Sequence, residues 1–391
     1  MSFPPELDLV TACCRWPASA ERDAAVRAAM APGLDWDSFR KVVARHRVQG
    51  LVHEALKNQA EGVPEEVRRA FAAAAAAIAR ENLAFAGEAR RLSTAFDAAG
   101  WRYFFIKGVT LNMLAYGTLG VKRASDLDVV IDPADYPDAV RMLMADGAVC
   151  QFPHEGASFD QVMRWTEGNK HSIWFHFGVR IELHVSLVDN PRMLPGIGIG
   201  SPTQSVALGG GIEVPTLDRV ELFTYLCVHG ATHAWSRLKW LADVAAFVGA
   251  EDEAGLDRLY RRTVALGGGR SAGSALILAR DLLGLALPSA LEAELRADRA
   301  ISFLVKVSRD AMVRGGAEAE LDETVLGTVG VHLAHLRMGR GLGYKWSELR
   351  RKIGSLRRET EGPAWKRALA PVWAGPRWLW RRVRRASGRL A

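Results

Sequence analysis

Apolar and polar positions along the chain change period twice. In the first 95 residues the apolar positions recur at helical intervals. Phe39, Val42, Val43, Val48, Leu51, Val52 and Leu56 follow this spacing and predict a helix over 35–55. A longer helix is predicted over 64–99. It opens on Pro64-Glu65-Glu66, runs through alanines at 72–77 and meets Gly100, a glycine placed to close it. From residue 101 short apolar runs take over, at 101–106, 126–131, 172–177 and 179–185, which read as strands; the last two join across Gly178 as a hairpin. Helices are expected between them at 109–116 and at 134–146, the latter closed by Gly147. Residues 189–211, rich in Pro and Gly, read as loop. The helical period returns at 216–231, 237–249, 254–265, 271–283 and 289–312, five candidates for a small bundle. The expected fold class is α/β plus all-α: a small mixed sheet over 100–215, an N-terminal helical region over 1–99, a helical bundle over 216–336 and a tail over 337–391.

Composition narrows the picture in two ways. With 391 residues, about half of them hydrophobic, the chain can bury a sizeable core divided among two or three domains. Its four cysteines have neither metal-ligand nor disulfide-framework spacing and read as buried thiols in a reducing cytoplasm. No signal peptide and no spanning segment is read, so the expected location is cytoplasmic. The net charge of +7 is confined to the tail. Residues 337–391 hold 16 Lys or Arg against three acids, which leaves −6 for residues 1–336.

The candidate chemistry lies in the sheet region. Tyr103 to Ile106 ends on Lys107-Gly108, and a second apolar run opens with Asp126-Leu127-Asp128. Residues i and i+2 of a strand share a face, so Asp126 and Asp128 point the same way and can share a divalent cation. Downstream, Glu182 and His184 share a face opposite Ile181, Leu183 and Val185. If that strand lies beside the first acidic one, Glu182 completes a three-carboxylate cluster of the kind that suits Mg²⁺, a hard cation that prefers oxygen.

In these motifs the chain resembles the nucleotidyltransferase superfamily with the polymerase-β-like palm, and most specifically its bacterial Lys-Gly proteins and the related abortive-infection-type toxins. The resemblance rests on Lys107-Gly108-Val109-Thr110-Leu111 and on Arg123, Ser125, Asp126 and Asp128, and is weaker at Ile181 to His184. One position departs from the family pattern. Val109 stands where Gly or Ser is common, and a β-branched residue does not easily take the positive φ that Gly allows. The resemblance implies that the mixed sheet is the palm. It further implies that Asp126, Asp128 and Glu182 hold Mg²⁺ or Mn²⁺ and are catalytic. Lys107, Gly108, Thr110, Arg123, Ser125 and His184 would then face the nucleotide, with ATP the expected NTP.

Other readings of single residues stay open. Lys107 can be a surface lysine at a strand end, and Arg123 a salt-bridge partner of the acids. His229 and His233 stand at i and i+4. The zinc-protease pattern needs Glu at position 230, which is Gly, leaving either two histidines in a domain seam or a nucleotide-facing pair. The resemblance extends to a His-rich helix followed by Trp235, Lys239, Trp240 and Asp243, which favours the second. Lys239 and Asp243, also at i and i+4, can equally form a helix ion pair. In the tail, Trp346, Trp365, Trp373, Trp378 and Trp380 alternate with arginine clusters, which suits an anionic membrane surface, RNA or plain solvation.

The expected function is transfer of NMP from an NTP to an acceptor hydroxyl with release of pyrophosphate. The acceptor, whether a protein or peptide hydroxyl, a small molecule or RNA, is not readable. The alternatives are a toxin-like enzyme acting on tRNA and a catalytically idle scaffold that keeps the palm.

Overall fold

The computed structural model describes residues 3–30, 33–57, 59, 62–314 and 327–359. Four short helices come first: α1 (Pro5–Cys13), α2 (Ala20–Ala29), α3 (Trp36–His46) and α4 (Gln49–Leu56). The single helix expected over 35–55 is therefore two. Arg47 takes a left-handed conformation at φ 56°, and the break lets Phe39 and Val43 on one side and Leu51 and Val52 on the other both reach the core. α5 (Glu65–Ala99) matches its expectation closely. Two glutamates in its first turn complement the helix dipole, and Gly100 closes it at φ 69°.

The sheet region runs β1 (Tyr103–Ile106), α6 (Gly108–Tyr116), β2 (Leu127–Ile131), α7 (Tyr136–Ala145), β3 (Val149–Phe152), α8 (Phe159–Thr166), β4 (His171–His176), β5 (Val179–His184), β6 (Thr203–Gly209) and β7 (Ile212–Leu217). The seven strands form one mixed sheet in the order β3-β4-β5-β2-β1-β7-β6. β1 runs antiparallel to β2 and parallel to β7, and β2 runs parallel to β5. The β4–β5 hairpin turns on Phe177 and Gly178, both at positive φ, as a tight two-residue connection requires. The loop expected over 189–211 is corrected in its last third. Residues 203–209 pair with β7, a strand whose polar and buried positions alternate on either side of Gly209-Gly210-Gly211, all three at positive φ.

Alternation along the strands sends two sets of residues to opposite faces. Phe105, Leu127, Val129, Ile131, Ile181 and Leu183 pack with Phe85, Leu92 and Phe96 of α5 and with Val140 and Val162 of α7 and α8. Phe104, Ile106 and Val130 face the other way, into the larger core. That core is built by α1, α3 and α4 together with α9 (Arg219–Thr232), α10 (Leu238–Val248), α11 (Glu253–Ala265) and α12 (Gly269–Leu283), so helices from both ends of the chain share one apolar interior. The helix expected over 289–312 is two, α13 (Ser289–Ala297) and α14 (Arg299–Arg314). Asp298 between them takes extended backbone, and its carboxylate accepts the Ala300 N–H at 2.7 Å, starting a new helix. The helix expected from residue 216 starts three residues later, because Thr216 and Leu217 still belong to β7.

α15 (Gly327–Met338) and α16 (Gly341–Glu359) complete the described residues. α16 covers the start of what the charge pattern marks as a tail, yet Tyr344 and Glu348 are buried. Trp365, Trp373, Trp378, Trp380 and their arginines lie outside the described residues. The four cysteines are buried and free. Among the described residues no helix is long and apolar enough to cross a membrane.

Candidate active site

The turn from β1 into α6 is backbone-strained. Lys107 sits at φ 62° and ψ −154°, a region that is nearly glycine-only, and Gly108 follows at φ 52°. Val109 is already in the first turn of α6, buried, without positive φ. The family's Gly or Ser at that position is thus not needed here for backbone reasons, because the left-handed residues are Lys107 and Gly108. Gly108 is required by space as well as by φ: a Cβ there would stand 3.2 Å from the Asp126 carbonyl oxygen. Thr110 donates its hydroxyl to the Lys107 carbonyl at 2.8 Å and so braces the turn.

The loop leading into β2 is pinned from three helices. Asn82 of α5 donates to the carbonyls of Leu119 and Lys122 and accepts the Ala124 N–H, Asn112 of α6 donates to Lys122, and Gly50 of α4 lies against the Val121 backbone. Arg123 turns outward from this loop and pairs with Glu81 at 2.9 Å. Ser125 is half-buried beside Asp126.

Register completes the cluster. Asp128 is opposite Ile106 on β1 and opposite Glu182 on β5, all on the face away from α5. Its Oδ1 takes Lys107 Nζ at 2.8 Å and His184 Nε2 at 3.1 Å, while its buried Oδ2 has no protein partner. Glu182 Oε1 is held by Arg180 at 2.9 Å, and its Oε2 lies 3.6 Å from His184 Nε2.

The electrostatics separate the three acids. Burial pushes the Asp128 carboxyl up, but the Lys107 charge and the His184 hydrogen bond outweigh it and hold the group well below the usual range. Glu182, despite its burial, is held down to about 2 by His184 and Lys107. For Asp126 the pull of Lys107 and Lys239 is the weaker influence. Burial and the neighbouring Asp128 charge push it up to about 6.

α9 and α10 wall the cluster. Tyr225, His229 and His233 follow one another at i, i+4 and i+8. His229 stacks on Tyr225, and His233 stacks on Trp240 at 4.6 Å and 10°. Burial, with the charges of Lys107, Lys170 and Lys239 nearby, keeps the His229 imidazole well below its ordinary pKa, hence neutral. Gly230 makes room for Trp235, whose ring would lie 2.2 Å from a Cβ at that position. Lys239 does not pair with Asp243. It lies over the Trp240 ring, and burial with the nearby Lys122 and Arg47 charges lowers it to about 7. Asp243 is engaged by Lys122 and by the Tyr116 hydroxyl instead. A pocket of about 110 Å³ opens between α9, the segment after β5 and α16, lined among others by Lys170, Tyr225, His229, His233, Glu348 and Arg351.

The family of uncharacterised nucleotidyltransferases matches residues 32–284, which take in α3 through α12. The chain belongs to this nucleotidyltransferase family. No curated protein matches it. The match spans the turn, all seven strands and the His-bearing helix, and so includes the cluster described above. The C-terminal helices that close the pocket lie outside the match.

The donor set suits a divalent cation. Asp128 and Glu182 are register partners, Asp126 lies close enough to feel both charges, and the buried Asp128 Oδ2 is an acceptor without a protein donor. Sequence reasoning missed His171, Tyr225, Glu348 and Arg351 of this candidate site. His171 opens β4, one residue before the run read as a strand. Tyr225 was signalled by its spacing, one turn before His229. The pocket-lining residues of α16 were hidden by the basic composition around them.

Proposed function

We propose that the chain is a divalent-metal-dependent nucleotidyltransferase that moves NMP from an NTP, ATP in the first instance, to an acceptor hydroxyl, releasing pyrophosphate. The observation that carries this reading is the register of Asp128 against Glu182, with Lys107 on the strained turn beside them. Asp126, Asp128 and Glu182 would hold the cation, which supplies neutralisation of the entering and leaving oxygens. The protein's own groups bind and align. Lys107, the uncapped N–H groups at the start of α6, and Lys239 with Arg47 surround the acids with positive charge that draws the triphosphate. The neutral His229 and His233 and the pocket beside them receive the acceptor. Its hydroxyl oxygen loses its proton to solvent and bonds to the α-phosphorus as the bond to the bridging β-phosphate oxygen breaks and pyrophosphate leaves, and alignment does most of the work.

The direct test is incubation of purified protein with each labelled NTP and Mg²⁺ or Mn²⁺. Pyrophosphate release and label on the protein itself, a peptide, a small acceptor or tRNA are read out. No release with any NTP under either metal rejects the proposal.

Glu182→Gln is expected to bind NTP with unchanged affinity and to lose turnover, since the amide keeps the shape and forfeits the charge. Equal turnover in the two proteins would place Glu182 outside the chemistry. Gly108→Ala is expected to cost about 1–2 kcal/mol of stability through the left-handed φ. It should also slow transfer about 100-fold by displacing Asp126, because misplacement by an ångström has that order of effect. A Tm and a turnover both equal to wild type would show that the turn tolerates a Cβ.

A further inference from the structure

On the β4 side of the carboxylates stands a donor set of different chemistry. His171 is the register partner of His184 across the β4–β5 hairpin, so both rings rise on the face that carries Glu182. They stack with centroids 4.9 Å apart at 28°. Glu182 presents one oxygen, Oε2, to both, 3.6 Å from His184 Nε2 and 3.9 Å from His171 Nε2. Its other oxygen is committed to Arg180, which fixes the carboxylate's orientation. One donor atom from each of the three residues lies within 4.8 Å of the others.

Two ligands of one tetrahedral ion, each about 2.0–2.2 Å from it, stand roughly 3.4 Å apart. The two shorter separations are therefore near what an ion would draw together. A second observation is independent of these distances. Nδ1 of His171 and Nδ1 of His184 are buried without a protein partner, and His184 is only 1% exposed. The tautomer is therefore not fixed by a partner at Nδ1: with the ring proton on Nδ1, Nε2 of each ring offers its lone pair to an ion, which at His184 replaces the hydrogen bond between Nε2 and Asp128.

We propose that His171, Glu182 and His184 form a transition-metal site, selective for Mn²⁺, Co²⁺ or Zn²⁺ over Mg²⁺, at the edge of the carboxylate cluster. Imidazole suits first-row transition metals, whereas Mg²⁺ takes oxygen and keeps its waters. Asp126 and Asp128 retain the oxygen-only chemistry, and Glu182 is shared. In its use the site rests on the nucleotidyltransferase reading, but its metal binding does not.

The experiment uses the full chain, stripped of metal with a chelator and titrated with Co²⁺ alone, without nucleotide. Wild type is expected to develop visible d–d absorption that saturates at one equivalent, is displaced by Zn²⁺ and survives a large excess of Mg²⁺. His171→Ala is expected to weaken Co²⁺ binding about 100-fold and to lose the absorption. His171→Gln, which keeps bulk and polarity in place, serves if the alanine variant does not fold by circular dichroism, and the same loss is expected. Mn²⁺ bound to wild type should show nitrogen couplings in its electron spin echo that diminish in either variant. Unchanged Co²⁺ affinity in the folded variant, or a wild type that binds Co²⁺ no more tightly than Mg²⁺, overturns the proposal. Co²⁺ binding as described, in a protein that transfers no nucleotide, upholds this site and rejects the transferase reading alone.

Discussion

Asp126→Asn is expected to abolish nucleotide transfer while raising the stability of the metal-free protein, and Asp128→Asn to abolish transfer while lowering it. Both remove a carboxylate from the proposed cation site. A cation's charge supplies several kcal/mol of barrier reduction, so at least about a 10³-fold loss is expected from each. The stability effects part because the surroundings differ. Asp128 is the counter-ion of Lys107 and the acceptor of His184, and neutralising it leaves a half-buried ammonium without its partner, at a cost of about 3 kcal/mol.

Asp126 is raised to about 6 by burial and by Asp128, so its ionisation opposes folding. Its folded pKa lies above its unfolded value, so stability falls as pH rises from about 4 through 6. The asparagine variant escapes that fall. Allowing for solvent screening, its advantage should be about 2 kcal/mol above pH 7 and vanish below about pH 4. Calorimetry across pH, with and without Mg²⁺, checks this, and Mg²⁺ should raise the wild-type Tm much more than that of either variant. Transfer within about tenfold of wild type in Asp126→Asn would remove that residue from the site.

The largest pure stability effect is expected at Asp243→Ala. Asp243 is 2% exposed, Lys122 9% and Tyr116 5%, and the carboxylate receives both the ammonium and, at 2.9 Å, the phenol. These three tie α6 and the loop before β2 to α10, and so hold the segment that ends at Asp126. Removing the acid strands a buried charge and should cost about 3–5 kcal/mol. Adding Lys122→Met should recover much of that loss, since a buried pair replaced by apolar groups is often neutral. A urea-denaturation double-mutant cycle reads the coupling, and a single-variant loss below about 1 kcal/mol would show that the pair does not hold the segment.

How much of the site was legible depended on how local each feature is. Alternation along a strand predicted that Glu182 and His184 share a face, and glycine chemistry predicted the ends of α5 and α7. The strained turn was visible as Lys107-Gly108, but which residues take positive φ was not. Val109 drew attention because it differs from a family pattern, whereas helix α6 starts one residue earlier and relieves it of that conformation. The helix ion pair that was one of two open readings of Lys239 and Asp243 lost to Lys122, which lies over a hundred residues upstream.

By itself the sequence determined the periods, the caps and the chemical types: two acids one residue apart, a later Glu-Leu-His, a turn that needs glycine and a helix bearing two histidines. These follow from φ/ψ sterics and side-chain alternation, which act over a few residues. Only the tertiary structure decided that β5 lies parallel beside β2, that Asp128 faces Glu182, that His171 stacks on His184 and that α16 closes the pocket. Strand neighbours and helix docking are settled by burying apolar surface between segments far apart in the chain, such as Val130 and Ile106 against α9 and α10. The divided electrostatics of the acids follow from that packing, because burial and the reach of Lys107 exist only once the segments have met.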